Sequence, residues 1–342
     1  MIVKIKQKRN KMWLCMLFCM VLGLTACYGA MPLESQDDGQ DDGKIQVLCT
    51  TFPLYDWTRQ IVGDSDTVTV SLLLDNGVDM HSYQASAADI AKITSCDMLV
   101  YVGGTSDVWL SDMLRKNADE KMAVVNLTEV LKDNVREEEL AEGMQNQNHS
   151  EDQHDEEYDE HLWLSVKNAV LSCEAVKNGL CSVDAANADS YDANCRAYTE
   201  RLSQLDAEYA DMVKNAEKNT VLFADRFAFL YLMKDYDIGY YAAFPGCSSE
   251  TTASFETVAF LAGKLKEEHI GCVLTLENAE NGFALELAQT VIKNAGVEAK
   301  ILSMDSMQSV TRAQIDAGMT YYDVMEHNLL VLKEAMNEKA GE

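Results

Sequence analysis

The sequence predicts an α/β protein of two similar lobes, each a mostly parallel sheet flanked by helices, joined by one long helix. Three observations lead there. Strand-like runs alternate with helical segments from Ile45 to about residue 130, a proline-free helical stretch fills residues 162–218, and the alternation resumes over residues 219–342. With 342 residues and 47% hydrophobic side chains, the chain can bury a core in each lobe.

The first 26 residues stand apart from this plan. Lys4, Lys6, Lys8, Arg9 and Lys11 precede the apolar run "MWLCMLFCMVLGLTA", the pattern of a secretory signal and too short for a comfortable membrane span. Leu24-Thr25-Ala26-Cys27 resembles a bacterial lipobox, which makes Cys27 the expected lipid anchor and the protein extracytoplasmic, held at the cell membrane. Residues 27–44 are polar and acidic, the composition of a tether.

The N-terminal lobe is expected over residues 45–161. "IQVLC" is a β-branched apolar run followed by Phe52-Pro53 and a helical pattern; "TVTVSLLL", "DMLVYVGG" and "MAVVNL" are strand-like, with "ASAADIAKITSC" and "SDVWLSDMLRKN" helical between them. The glycines 103 and 104 belong to a tight loop, since the lysine and hydroxyl of a phosphate-binding loop do not follow them. An acidic loop covers about residues 136–160. In the helical region, "SYDANCRAYTERLSQLDAEYADMVKNAEK" repeats apolar positions at three- and four-residue spacing. The C-terminal lobe then reads "TVLFAD", "GYYAAF", "GCVLTLE" and "AKILSMD" as strands, separated by helical segments, and closes on the amphipathic "TYYDVMEHNLLVLKEAMNEK". A ligand belongs between the lobes, at the carboxyl ends of the strands.

The formal net charge is −28, and the five basic residues of the signal are accompanied by no acidic ones, so the rest is more acidic still. That balance argues against nucleic-acid partners and suits the collection of cations. Of ten cysteines, Cys15, Cys19 and Cys27 fall in the signal and anchor, and the other seven form no CxxC pair. They read mostly as small buried hydrophobes.

Two of the six histidines stand where a loop feeds a structured element: His81 in "NGVDMHSYQASAADI" and His161 in "DEHLWLSVKNA". Either alone is a weak signal. Imidazole suits zinc, copper, iron and nickel, and carboxylate companions extend the range to manganese. With the lipobox and the lobe order, these two motifs resemble the cluster A-I solute-binding family, the metal-binding lipoproteins of ABC importers for zinc and manganese, whose lobes are joined by a rigid helix.

The resemblance implies His81 and His161 as the first two metal ligands. It implies a third ligand after the first strand of the second lobe; with that strand expected to end at Phe223, the position falls on Ala224, which cannot coordinate. Asp225 is the neighbouring replacement, with a local ion pair to Arg226 as the competing reading. Asp305 matches the fourth ligand. Glu277, at another strand end, is either a ligand, a hydrogen-bond partner of a ligating imidazole, or a carboxylate facing a helix N-terminus. The acidic loop with His149 and His154 occupies the place of the metal-collecting loop of zinc-specific members.

The resemblance therefore implies an importer component, a monomer, that captures zinc, with manganese as the alternative, and delivers it to a permease served by an ATPase. Two other classes compete. A zinc hydrolase lacks HExxH and a general base beside the histidines, and a surface adhesin would not depend on His81 or His161.

Overall fold

The computed structural model describes residues 43–117, 121–145, 158–248, 252–277 and 282–341. The expected signal peptide, Cys27 and almost all of the tether lie outside the described residues, as do His149 and His154 of the acidic loop. Lys44–Glu342 form one compact unit. Among the described residues no helix is long and apolar enough to cross a membrane.

The first sheet has strands β1 (Ile45–Cys49), β2 (Val68–Leu72), β3 (Met98–Tyr101) and β4 (Ala123–Asn126), all parallel, in the order β2-β1-β3-β4. Helices α1 (Phe52–Val62), α2 (Ala87–Ser95), α3 (Val108–Asn117) and the short α4 (Leu127–Val130) complete this lobe. Covering helices explain why β3 is a continuous apolar run, buried at every residue, rather than an alternating one. Pro53 opens α1, and Ser86 and Asp89 cap α2 reciprocally.

Helices α5 (Val166–Val183) and α6 (Ala188–Lys214) pack on each other between the sheets. α6 has 27 residues, about 40 Å at 1.5 Å per residue. Its buried side chains, Tyr191, Cys195, Tyr198, Leu202, Leu205, Tyr209 and Met212, alternate four- and three-residue steps and so form one stripe.

The second sheet repeats the first with β5 (Thr220–Phe227), β6 (Gly239–Pro245), β7 (Cys272–Leu276) and β8 (Lys300–Met304), parallel and in the order β6-β5-β7-β8. Helices α7 (Leu230–Asp235), α8 (Phe255–Glu267), α9 (Phe283–Ala295), α10 (Arg312–Asp316) and α11 (Tyr321–Asn337) accompany it. β5 does not end at Phe223 but continues to Phe227, with a bulge against β6 between Phe223 and Arg226. Ala224 is a fully buried packing residue inside the strand.

The lobes share a core. Trp57, Trp163, Tyr191, Tyr209, Phe223 and Tyr321 belong to a single buried cluster reaching from the first sheet through the helices to the second. Polar groups inside it are paired across the chain: Tyr321 N donates to Asp56 Oδ2 at 3.0 Å, Tyr321 Oη to the Trp163 carbonyl at 2.7 Å, Trp163 Nε1 to the Ser306 carbonyl at 2.9 Å and Tyr209 Oη to the Met325 carbonyl at 2.6 Å. Such pairing is what lets polar atoms sit in an apolar interior. Trp163→Ala removes a fully buried ring and its Nε1 link to Ser306, and should lower the unfolding free energy by about 3–5 kcal/mol in urea denaturation. A change below about 1 kcal/mol would show that the site segment is not built into the core.

Candidate metal centre

His81 lies on the one-turn helix Met80–Ser82 that follows β2. The capping Asp79 accepts its backbone N–H through Oδ1 at 3.0 Å, which fixes the turn. The ring Nδ1 is 3.0 Å from Ser106 Oγ and 3.3 Å from Glu160 Oε2. Ser106 in turn donates its N–H and its hydroxyl to Glu160, at 2.6 and 2.5 Å. Gly104 makes this possible. Its φ of +92° favours glycine, and a Cβ there would stand 2.5 Å from Glu160 Oε1. Burial alone would raise the Glu160 carboxyl, but the hydrogen bonds from His81 and Ser106 outweigh it and hold the group below the usual carboxylate range.

His161 is fully buried at the junction between the acidic loop and α5. The residues after it explain the placement. Leu162, Trp163 and Leu164 form a buried helical turn, and Ser165 caps α5 by accepting the Asn168 N–H at 3.0 Å. The residues before it set the ring: Asp159 Oδ1 is 2.9 Å from both the His161 backbone N and ring Nδ1, and the Asp159 carbonyl accepts from Tyr231 Oη at 2.7 Å. Burial disfavours the imidazolium, yet the Asp159 carboxylate, with Glu160 and Glu138 behind it, overcomes this and raises the His161 pKa above its ordinary 6.5.

The two imidazoles meet through their remaining nitrogens, Nε2 to Nε2, at 3.2 Å. Ser106 gives its hydroxyl proton to Glu160 and therefore accepts from His81 Nδ1; the Asp159 carboxylate can only accept from His161 Nδ1. Both Nδ1 atoms thus carry protons, and in neutral rings both Nε2 lone pairs point at the same small space. Two lone pairs at that distance require a proton or a cation between them.

Cys247 completes this cluster. One donor atom each from His81, His161 and Cys247 all lie within 4.8 Å of one another, the only such group of three or more His, Cys, Asp or Glu residues among those described. A cavity of about 220 Å³ opens beside it, lined by His81, Thr105, Ser106, Tyr158, Glu160 and Cys247. All seven described cysteines are free thiols.

Of the three carboxylates expected from the second lobe, Glu277 and Asp305 follow strand ends and Asp225 lies within β5 at its bulge, but none joins the histidines in that group. Asp225 accepts the N–H groups of Leu276 and Arg226, at 2.9 and 2.8 Å, and burial raises its carboxyl. Its expected ion pair with Arg226 is replaced by another: the Arg226 guanidinium pairs with Asp79 of the first lobe, Nη1 to Oδ2 at 2.9 Å. The bulge in β5 lies just before Arg226, the usual effect of a bulge being to re-aim a side chain. Glu277 accepts the N–H and hydroxyl of Ser306, at 2.8 and 2.6 Å, rather than an imidazole N–H. Burial and the neighbouring Asp305 push its carboxyl up, and burial raises Asp305, whose Oδ1 accepts from Met307 N at 2.8 Å.

In the metal-free protein, protonated His161 contributes stability that is complete below about 6.5 and is lost as the pH rises through the raised folded-state pKa. Asp159→Asn removes the main charge responsible. An NMR titration of the ring C–H resonances should then show the His161 pKa falling; an unchanged value would mean that Asp159 does not set the state of this ring.

The family described as ZnuA, zinc-uptake complex component A periplasmic, matches residues 47–335. The zinc-binding lipoprotein AdcA of Streptococcus pneumoniae strain R6 is 31% identical over 301 residues, covering 88% of this chain and 57% of AdcA, so the chain spans less than two thirds of that relative. The high-affinity zinc uptake system protein ZnuA of Bacillus subtilis is 27% identical over 330 residues, 93% of this chain and 95% of that protein. Among solved structures, the Zn(II)-bound ZnuA-like domain of S. pneumoniae AdcA aligns with a TM-score of 0.67 at 28% identity, over 86% of this chain and all of that one. The two parallel four-stranded sheets, the long helix between them and a family match over most of the chain place it in the ZnuA family.

Proposed function

We propose that this chain is the extracytoplasmic solute-binding component of an ABC importer, which captures a divalent transition metal, zinc in preference to manganese, between its lobes and delivers it to a membrane permease driven by a separate ATPase. The observation that carries this reading is the approach of the His81 and His161 Nε2 atoms to 3.2 Å with both Nδ1 protons held by acceptors. On this reading the two Nε2 atoms are metal ligands, Glu160 and Asp159 hold the rings in the required tautomer, and Asp159 increases the basicity of His161. The names of the zinc-binding relatives support zinc as the cargo.

Capture and release need no covalent chemistry, and the protein acts as a binding component rather than an enzyme. The lipid anchor is Cys27, and the folded unit works as a monomer at the membrane surface. Asp225, Glu277 and Asp305, each already accepting backbone N–H groups, fix the strand ends of the second lobe rather than serving as primary donors.

Competition titration of the chain from Tyr28 onward against a chelator of known affinity should give tight one-to-one zinc binding, weaker manganese binding, and collapse of both in His161→Ala. Equal binding by that variant, or no tight binding of either metal, would contradict the reading. Protons compete for Nε2, so zinc affinity should fall on acidification. The raised His161 pKa places the start of that fall above the point expected for an ordinary histidine of pKa 6.5. A zinc affinity independent of pH from about 8 to 5, a span that brackets an ordinary histidine's titration, would exclude imidazole ligation.

A further inference from the structure

The importer reading requires a donor from the second lobe, and the positions expected to supply it are otherwise engaged. The end of β5 presents Arg226, a fixed cation whose guanidinium is turned to Asp79. Asp225, Glu277 and Asp305 hold backbone amides and stand outside the histidine cluster. The side chain from this lobe whose donor atom lies within 4.8 Å of a ring nitrogen of both His81 and His161 is Cys247, in the turn after β6.

That turn is built to bring the sulfur there. Ser248 N–H closes it on the Pro245 carbonyl at 3.2 Å, and Cys247 N–H donates to Glu138 Oε1 at 3.0 Å. The preceding residue has to be glycine for steric reasons. A Cβ on Gly246 would stand 2.7 Å from the Phe227 carbonyl oxygen and 2.9 Å from His161 Cε1, so only a bare backbone can lie against the imidazole edge. Cys247 is half-buried and borders the cavity that also exposes His81, so the sulfur can be reached by an incoming ion.

The separation of the two imidazole nitrogens agrees with one small tetrahedral ion, and the sulfur stands close enough to join it. Zinc at about 2.0–2.1 Å from imidazole nitrogen and about 2.3 Å from thiolate sulfur sets its donors roughly 3.3–3.6 Å apart. The Nε2 pair stands at 3.2 Å and the three donors lie within 4.8 Å of one another. A site of two neutral imidazoles and one thiolate carries one negative charge, leaves one position for water, and is backed by Asp159, Glu160 and Glu138.

Resting on the importer reading, we propose that Cys247 supplies a thiolate as the second lobe's ligand to the metal held by His81 and His161, and that this sulfur makes the site select zinc over manganese. Thiolate favours zinc and other soft cations, whereas manganese favours oxygen donors. On binding, the thiol proton passes to solvent and the sulfur lone pair forms the metal bond. Because the thiolate comes from the second lobe and the imidazoles from the first lobe and its junction with α5, the metal ties the lobes together.

The test uses the full chain, prepared metal-free under reducing conditions, with cobalt(II) as a spectroscopic substitute for zinc. Cobalt loading should produce a thiolate-to-metal charge-transfer band in the near ultraviolet that Cys247→Ser lacks. The same variant should lose at least about tenfold in zinc affinity, the lower end of what even an outer-shell partner contributes, while its manganese affinity changes less. A band that survives in Cys247→Ser, or an unchanged zinc affinity, overturns the thiolate assignment and leaves the importer reading standing. Failure of the unmutated chain to bind any of the three metals overturns both. Should the variant not fold, alkylation of the unmutated chain decides. Zinc should slow modification of Cys247 by iodoacetamide, read by peptide mass spectrometry, and equal modification with and without zinc overturns the proposal.

Discussion

Two imidazoles held nose to nose, each with its far nitrogen locked by an acceptor, are the constraint around which the rest of this molecule is arranged. An unrestrained histidine can present either nitrogen, or a proton where a lone pair is needed. Here Ser106 and Glu160 decide the matter for His81, and Asp159 decides it for His161. The consequence is a point in space that attracts a positive charge before any ligand arrives. Burial works against a charge on the His161 ring, and the Asp159 carboxylate that locks it outweighs this and raises its pKa.

Maintaining that arrangement demands rigidity well beyond the site. His161 is fully buried, and its neighbours Asp159 and Trp163 are tied to Tyr231, Tyr321 and Ser306 by hydrogen bonds that reach into the second lobe. The histidine therefore sits at the end of an acidic loop because the Leu162–Leu164 turn nails the segment to the core while Asp159 holds its ring and Glu160 reaches Ser106 and His81. His81 depends on a shorter chain of causes, through Asp79 and Gly104. The Arg226–Asp79 ion pair joins the two lobes beside it. A carboxylate that caps the His81 turn thus also receives a cation from the opposite lobe, so movement of one lobe is felt at the first histidine.

Much of this was legible in the residues alone. Strand–helix alternation marks both sheets because parallel strands buried on two faces read as short apolar runs, and "DEHLWLS" already contains the histidine, its orienting aspartate and its apolar anchor. What could not be read was pairing between distant segments. Ser106 and Glu160 are 54 residues apart, and nothing local in "GGTSDVW" announces that its serine will orient His81. In the sequence β5 reads as ending early because Asp225 and Arg226 interrupt the apolar run, although a bulge lets the strand continue to Phe227. In the sequence alone Cys247 reads as one more small buried hydrophobe. Its signals, a Pro-Gly-Cys turn at a strand's carboxyl end and a glycine that must lie against a ring, acquire meaning only when the second lobe is folded over His161.

The most direct measurement of the central claim is X-ray absorption at the zinc edge on the loaded protein. The account predicts a first shell containing two nitrogens at about 2.0–2.1 Å, with the outer-shell scattering that marks them as imidazoles. A shell of oxygen donors without imidazole scattering would contradict it, because the metal would then lie somewhere other than between His81 and His161.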